Sequence, residues 1–466
     1  MHQQLACCCG IARTCLCLAH WTCTMATTPI IATARTEVAP LLHLALPIVA
    51  GLAASTLIGV VDTIMIAPLG TLPLAAASLT TAAMIIFYSA IYGFVSAVGI
   101  EAAHRHGGAQ ADAVAAALRA GLGLAPLAGL VASLLMVLIL LILPLIGQPP
   151  EVLAIITPYW LAMAAVLVPV ALLMVIAQVL NAMDRPWTAA GFAFLAVILN
   201  IPLNYGLIWG IGNWPGLGLV GAGLASLIAE TLALLIAITW LARHRLLRAQ
   251  PDAALRKRLA WGGLPLAIGY TGEGAAFAVV GLMLGIFGAT ALAANQIVQA
   301  VGGVLYMLPL GMAAAVAIRI GQASGSGDPA RLRPIAVAAI GVVTVWMVAV
   351  TIMLILLGGR IAAALSDDSG VVALATAMFV IVALIQVADG VQSTALGALR
   401  GIMDFVWPTR LTLLSYWLFA LPLAAALGFW AGFGPLGVWA GYGVGIALVA
   451  IILPARFWWL TAAANR

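Results

Sequence analysis

The chain has 466 residues, of which 65% are hydrophobic and 7% are charged, and its formal net charge is +5. Soluble domains carry roughly 25% charged residues, so this composition and a mean hydropathy of +1.19 exclude a cytosolic enzyme. Disorder is excluded as well, because almost every segment is apolar. The basic residues lie at the ends of apolar stretches instead of on one soluble surface, which argues against nucleic acid as a partner.

The N-terminal stretch differs from the rest of the chain. All six cysteines lie within the first 23 residues, and Met25 follows them. One interpretation is a lipidated or metal-binding leader, but no clean CxxC pair is present and Gln4 occupies the leucine position of a lipobox. Residues 1–24 are therefore predicted to be a start-site artefact or a dispensable tail.

Apolar runs long enough to cross a bilayer, about 20 residues each, occur twelve times. Their approximate bounds are 41–66, 74–100, 114–146, 152–180, 187–211, 217–242, 260–287, 291–318, 335–357, 371–399, 406–429 and 435–460. A basic interruption separates six runs from six, which divides the chain into residues 25–243, a linker at 244–258 and residues 259–466. The fold predicted is an all-α polytopic membrane protein with twelve helices in two six-helix lobes.

The basic residues predict the orientation. If both termini are cytoplasmic, every Lys and Arg except Arg360 lies in an inner segment, as the positive-inside rule requires. Tryptophans such as Trp187 and Trp261 then fall at inner span ends, and Trp209 and Trp430 at outer ones, which is the headgroup level that indoles favour. We therefore expect a multi-pass protein of the inner membrane in contact with the lipid bilayer.

The two halves resemble each other at one fixed spacing, which we call the repeat offset. Three residues of the first half recur in the second half at this offset: Pro47, Gly70 and Gly107 correspond to Pro265, Gly288 and Gly325. Each copy has six spans, so the two copies run in the same sense and are related by an axis along the membrane normal. Such parallel repeats are typical of alternating-access transporters.

Ionisable groups inside a bilayer are costly, so each one needs an explanation. Four acids lie well within the predicted spans, with no Lys or Arg at mid-depth: Asp62, Glu230, Glu273 and Asp389. Glu273 and Asp389 lie roughly 20 and 15 Å from the inner ends of their spans, so we expect one shared cation site. Gln386 lies one turn before Asp389 on the same helix face. Two separate carboxylates capped by hydroxyls are the alternative.

A second candidate site lies in the first half. Asp62 is in the outer part of the first span, and Asn200 and Asn204 lie four residues apart in the fifth, with Pro202 between them. These residues predict an ion or proton site, and interhelical hydrogen bonding is the alternative for the asparagines. Glu230 has no identifiable partner in the sequence, so a cavity-lining role and a protonated structural role stay equally open.

Five segments carry a family resemblance. They are VDTIMIAPLG at 61–70, NIPLNYGLIWG at 200–210, GLPLAIGYTGEGAAF at 263–277, PLGMAAAVAIRIGQASGSGD at 309–328 and QVADGVQSTALGALRG at 386–401. In this order they resemble the multidrug and toxic compound extrusion (MATE) transporters, in particular the NorM-like, sodium-coupled bacterial branch. The resemblance covers roughly residues 40–460.

The resemblance implies two lobes around a central cavity and efflux of cationic amphipathic compounds by Na⁺ or H⁺ antiport, with no other cofactor. Glu273 and Asp389 match the cation pair of the family's second lobe, Asp62 matches its first-lobe aspartate, and Asn200 and Asn204 match the polar pair near it. One position departs from the pattern. Ile385 stands where many sodium-coupled members carry a tyrosine, four residues before the aspartate, which leaves the coupling ion open.

We therefore expect a monomeric antiporter for small cationic drugs or toxins, and not an enzyme. Tyr88, Phe277 and Tyr306 are candidate lining residues whose rings would contact a lipophilic cation. A lipid-precursor flippase is the alternative, but it is expected to carry basic residues in its cavity. A respiratory proton-translocating subunit would use intramembrane lysines, and an intramembrane enzyme would need a catalytic motif; neither feature is present.

Overall fold

The computed structural model describes residues 30–146, 149–212, 215–250 and 253–463. Residues 1–24, predicted to be an artefact or a tail, lie outside the described residues. The described part contains twelve helices long and apolar enough to cross a membrane, which we number span 1 to span 12. Their bounds are Ala32–Leu69, Thr71–Gly107, Ala111–Leu145, Pro150–Ala182, Pro186–Trp209, Leu219–Arg243, Ala253–Gly285, Ala289–Gly325, Pro329–Leu365, Ser369–Gly401, Val406–Trp430 and Gly434–Ala462.

The predicted number and order of the spans are confirmed, but several bounds are wrong. The helix of span 1 starts at Ile30, well before the predicted start at residue 41, because it continues through both Pro40 and Pro47. Span 7 begins at Ala253, so Arg256, Lys257 and Arg258 are helical instead of belonging to the linker. Hydropathy does not reveal where these two helices begin, because polar residues extend a helix beyond the bilayer as readily as apolar ones.

Two spans are irregular. Span 8 consists of the helices Ala289–Leu305 and Met307–Gly325, joined at Tyr306. Span 11 contains two π-helical segments, Ser415–Ala420 and Ala426–Trp430. Breaks in helical geometry of this kind occur frequently at functional sites.

Spans 1–6 and spans 7–12 form two lobes, and equivalent spans of the two lobes make equivalent contacts between them. Span 2 packs on span 7, and span 1 packs on span 8. A Cβ atom on Gly107 would clash with the carbonyl oxygen of Gln322, and a Cβ on Gly325 would clash with that of His104. Gly107 and Gly325 are separated by the repeat offset, and so are His104 and Gln322. The contact therefore obeys a twofold relation, which confirms two pseudo-symmetric lobes.

In the described part of the chain, the interlobe contacts of span 8 lie at one end of the bundle, the end that carries the basic loops, which we call the basic end. Spans 1 and 2 pack on Met307–Gly325 of span 8, whereas Ala289–Leu305 of the same span packs on spans 7 and 10 of its own lobe. A cleft between the lobes therefore opens towards the opposite end, the open end.

Ion pairs cross between the lobes at the basic end. Glu37 of span 1 pairs with Arg319 of span 8 at 3.0 Å and with Arg331 at 2.6 Å. Glu101 of span 2 pairs with Arg258 of span 7, and also with Arg105 of its own helix at 2.6 Å. Glu101 and Arg319 are equivalent positions, separated by the repeat offset. Equivalent positions of the two lobes thus carry opposite charges, and each of them pairs with a residue of the other lobe at the basic end.

Candidate functional site

The first-lobe cluster joins three spans around Asp62. Its Oδ1 accepts a hydrogen bond from Asn204 Nδ2 at 2.5 Å, and its Oδ2 accepts one from Ser226 Oγ at 3.0 Å. Asn200 Nδ2 donates to Ser226 Oγ at 3.1 Å, and its Oδ1 accepts from Asn204 Nδ2 at 2.9 Å. Asn200 and Asn204 have no exposed surface, and Asp62 and Ser226 are also buried. The structure therefore brings the three predicted residues together in one ring of hydrogen bonds.

The helix spacing explains why these residues meet. Asn200 and Asn204 lie one turn apart on one face of span 5, and Pro202 stays within that helix. Ser226 of span 6 completes the ring and was not predicted, because a single serine in an apolar span is a common feature. The sequence feature that could have identified Ser226 is its position four residues before Glu230, on the same face of span 6.

Glu230 lies near this cluster, four residues after Ser226 on span 6, and its role stays open. It is buried and interacts electrostatically with Asp62. Tyr88 of span 2 neighbours both carboxyl groups. Within the described part of the chain Glu230 forms no hydrogen bond or ion pair. Asp62 and Glu230 thus lie near each other in the first lobe, and Tyr88 stays a candidate lining residue.

The second-lobe cluster is built around Glu273 of span 7. The hydroxyl of Tyr416 donates to Glu273 Oε1 at 3.4 Å, and Gln392 Nε2 donates to the same hydroxyl oxygen. Asp389 of span 10 interacts electrostatically with Glu273 but does not bond to it directly. Both acids are half-buried. The predicted pair therefore shares one neighbourhood, and Tyr416 links Glu273 to the helix that carries Asp389.

Tyrosines from other spans supply hydroxyl groups where Ile385 has none. Ile385 itself packs against Gly443 of span 12. Tyr306, at the break in span 8, donates to the main-chain oxygen of Asp389 at 3.4 Å, and Tyr416 comes from a π-helical segment of span 11. Two tyrosines from other spans thus place hydroxyl groups near Asp389 and Glu273.

Two buried amide oxygens of span 10 have no hydrogen-bond partner, Gln386 Oε1 and Gln392 Oε1. Both lie on span 10, within one turn of Asp389. A buried acceptor without a partner is costly, so these oxygens together with the carboxylates fit a site that receives a cation or a proton donor. No group of three or more His, Cys, Asp or Glu residues suited to a metal occurs in the described residues.

Aromatic rings cluster near Glu273 in the second lobe. Phe277 lies one turn after Glu273, and its ring is 5.8 Å from Trp439 and 6.4 Å from Tyr442 between centroids. Tyr416 lies 5.6 Å from Tyr442. Trp439 and Tyr442 are further residues that were not predicted, since nothing in span 12 distinguishes them from core aromatics.

Arg400, near the end of span 10, does not pair with Asp404, which lies four residues further along the chain. Asp404 pairs instead with Arg456 at 2.7 Å. The Arg400 side chain is buried at the base of the cleft, where Nη1 donates to the hydroxyl of Tyr270 at 2.6 Å and the guanidinium lies 4.4 Å from that ring. Arg400 itself stands one residue before the end of span 10, and its long side chain reaches Tyr270, three residues before Glu273 on span 7.

Comparisons with known proteins agree with this architecture. The MatE family model matches residues 47–206 and 265–426, two stretches whose first residues are separated by the repeat offset. The chain is 31% identical to the multidrug resistance protein NorM of Burkholderia vietnamiensis, over 89% of this chain and 92% of the relative. It is also 31% identical to the multidrug resistance protein PmpM of Pseudomonas aeruginosa, over 91% of each chain.

Solved structures share the fold at low identity. The eukaryotic MATE transporter AtDTX14 superposes with a TM-score of 0.83 at 21% identity, covering 93% of this chain and 99% of its own. A MATE transporter in the bent conformation superposes with a TM-score of 0.85 at 20% identity, covering 94% and 98%. The family match over most of the chain and the two bacterial relatives show that this chain is a multi-pass membrane transporter of the MATE family and not an enzyme.

Proposed function

We propose that this protein is a secondary multidrug efflux antiporter that exports cationic amphipathic compounds in exchange for Na⁺ or H⁺. The observation that carries the proposal is the pair Glu273 and Asp389. These two acids share one half-buried site, and no described basic residue lies within ion-pair distance of either. Unpaired carboxylates in a membrane interior demand a proton or a cation.

Exchange follows from competition for these acids. A coupling cation or proton neutralises Glu273 and Asp389, and a cationic compound then loses its attraction to the site. Ion and compound are exchanged because each has a different affinity for the two states of the transporter. The first-lobe cluster around Asp62, with Asn200, Asn204 and Glu230, is a second candidate for the coupling site.

The basic end is proposed to face the cytoplasm, with both termini on that side of the inner membrane. The positive-inside rule supports this orientation, and the relatives named NorM are bacterial. The cleft in this structure then opens outward. We propose that the protein acts as a monomer, since each chain holds both lobes and both acid sites.

The test uses residues 25–466 reconstituted in vesicles, with ethidium transport energised in turn by a sodium gradient and by a pH gradient. Glu273→Gln and Asp389→Asn are expected to abolish coupled transport, because an amide neither binds a cation strongly nor carries a proton. The matched control is Asp367→Asn, which removes an exposed carboxylate at the open end.

Each outcome has a defined meaning. Transport that follows one gradient and is lost in both variants supports the proposal and identifies the coupling ion. Transport that survives in both variants but fails in Asp62→Asn moves the coupling site to the first lobe. Full transport in a variant that lacks Glu273, Asp389 and Asp62 together contradicts coupling through these acids.

A further inference from the structure

The outer face of span 6 carries a groove that runs to the basic end of the first lobe. The groove has a volume of about 290 Å³. Its lining residues recur at intervals of three or four, which places them on one face of the helix; they are Leu232, Leu235, Ile236, Thr239, Trp240 and Arg243. Leu232, Leu235 and Ile236 are 39%, 55% and 46% exposed. The groove is therefore apolar along most of its length and ends at an arginine.

The indole ring of Trp240 is held in place at the arginine end of this groove. The His244 imidazole stacks on it with ring centroids 3.9 Å apart, and Phe192 of span 5 meets it edge to face at 6.1 Å. The guanidinium of Arg185, the residue just before span 5, lies 5.7 Å from the centroid of the indole. Arg243 follows Trp240 by three residues on span 6. Two arginines from neighbouring spans thus lie at the same end of the groove.

These two arginines have no acidic partner. Both are exposed, and neither forms an ion pair with a described residue. Asp184 precedes Arg185 in the chain but points to the lobe interface, where it contacts His106 at 3.4 Å and accepts a hydrogen bond from Gln322 at 3.1 Å. The positive charge beside the groove is therefore uncompensated and attracts an anion.

The second lobe shows that the fold itself does not require these charges. At the repeat offset, Arg185 and Arg243 correspond to Met403 and Thr461. Thr461 is buried, and its hydroxyl accepts a hydrogen bond from Arg333 at 3.0 Å. The exposed groove and its pair of arginines are therefore an addition of the first lobe to the repeated plan.

We propose that this groove binds one anionic phospholipid, with an acyl chain along the apolar stripe and the phosphate at Arg185 and Arg243. The stripe from Leu232 to Arg243 is about 16 Å long at the rise of an α-helix, which matches one leaflet, half of a hydrocarbon core about 30 Å thick. Basic residues at the membrane surface attract anionic lipids. Trp187, 61% exposed and two residues after Arg185, marks the headgroup level that indoles favour.

A phospholipid is the anion that a lipid-facing groove meets at this depth. The groove lies on the outer surface of the bundle, on the face of span 6 that is turned away from the buried Ser226 and Glu230. Lipid binding there is therefore separate from the cleft and from the acids of the proposed transport function, and either can fail without the other.

The test is native mass spectrometry of the full chain in detergent, which counts bound lipids directly. Phosphatidylglycerol, which is anionic, is compared with phosphatidylcholine of the same acyl chains, which has no net charge. We expect the wild type to retain one phosphatidylglycerol per chain at concentrations where phosphatidylcholine is not retained. The apparent affinity for phosphatidylglycerol should fall about fivefold in Arg185→Gln or Arg243→Gln and about 30-fold in the double variant, the effect of one and two surface charges.

Two further variants make the comparison specific. Arg410→Gln is the matched control, because Arg410 is an exposed arginine near the start of span 11, the equivalent of span 5, and also lacks an ion pair with any described residue. It should leave phosphatidylglycerol binding unchanged. Ile236→Trp fills the groove and keeps both arginines, and it is expected to abolish the selective retention of phosphatidylglycerol. All of these positions are exposed, so the fold is retained.

Each outcome decides for or against the lipid. Selective loss of phosphatidylglycerol in the double arginine variant and in Ile236→Trp supports the proposal. Equal retention of both lipids by the wild type, an unchanged affinity in the double variant, or an equal loss in Arg410→Gln overturns it. Displacement by inorganic phosphate, with no effect of Ile236→Trp, assigns the arginines to a free phosphate and overturns the lipid. A dimer that Ile236→Trp converts to a monomer assigns the groove to a second copy of the chain.

Discussion

At the residue scale, Ser226 closes the ring of hydrogen bonds around Asp62. Its hydroxyl donates to Oδ2 of Asp62 and accepts from Nδ2 of Asn200. A single hydroxyl in an apolar helix often bonds to its own backbone instead. Here its removal would affect two buried polar groups on two other spans.

Ser226→Ala is therefore expected to destabilise the protein by about 1–3 kcal/mol, because it leaves a buried oxygen of Asp62 and the amide of Asn200 unsatisfied. The measurement is thermal unfolding of the purified protein in detergent. Thr231→Val is the matched control, as Thr231 lies on the same span and bonds only to the Leu227 carbonyl one turn earlier. Equal effects of the two substitutions would contradict the role assigned to Ser226.

At the element scale, span 11 shows how backbone irregularity places a side chain. The π-helical segment Ser415–Ala420 turns the buried Tyr416 towards Glu273 and Gln392. Hydropathy correctly identified this span but is insensitive to a π-helical turn, which changes the direction of side chains without changing composition. The contact of the Tyr416 hydroxyl with Glu273 therefore left no signal in the sequence.

Tyr416→Phe removes only that hydroxyl. We expect the concentration of coupling ion at half-maximal transport to rise about two- to tenfold, the effect of one lost hydrogen bond at the site, while the fold is retained. Ethidium transport in vesicles at graded sodium and proton concentrations measures it. Tyr205→Phe, at an exposed tyrosine of span 5, should change nothing; an unchanged ion dependence in Tyr416→Phe would exclude Tyr416 from the site.

At the scale of the whole molecule, the lobes are held together at the basic end by two interlobe ion-pair clusters and by close glycine contacts. Glu37 and Glu101 each bond to an arginine of the other lobe. Access from the basic end requires both clusters to separate. The equilibrium between the two states is therefore expected to depend on these pairs.

Glu37→Gln combined with Glu101→Gln should shift the protein towards a state open at the basic end. The readout is maleimide labelling of Ser96→Cys, at the cavity between the lobes, in residues 25–466, which contain no other cysteine. Labelling is expected to accelerate at least about fivefold, the lower range of measured coupling energies.

Two variants test the physical cause of this shift. Asp404→Asn removes an ion pair with Arg456 inside one lobe and should leave labelling unchanged. Gly107→Ala should accelerate labelling without any change of charge, because its Cβ would collide with the Gln322 carbonyl across the lobe interface. Equal labelling in the double glutamate variant and the wild type would show that these pairs do not hold the basic end closed.

The sequence by itself determined the number and order of the spans, the two repeated halves and the intramembrane acids. Each of these depends on local composition, since about twenty apolar residues form a span wherever they occur and a charge inside one is always exceptional. Only the tertiary structure decided the partners: Ser226 for Asp62, Tyr416 for Glu273, Tyr270 for Arg400 and Glu37 for Arg319. These contacts depend on the rotation, depth and irregularities of packed helices, which arise from side-chain packing between residues far apart in the chain and leave no periodic signal in the sequence.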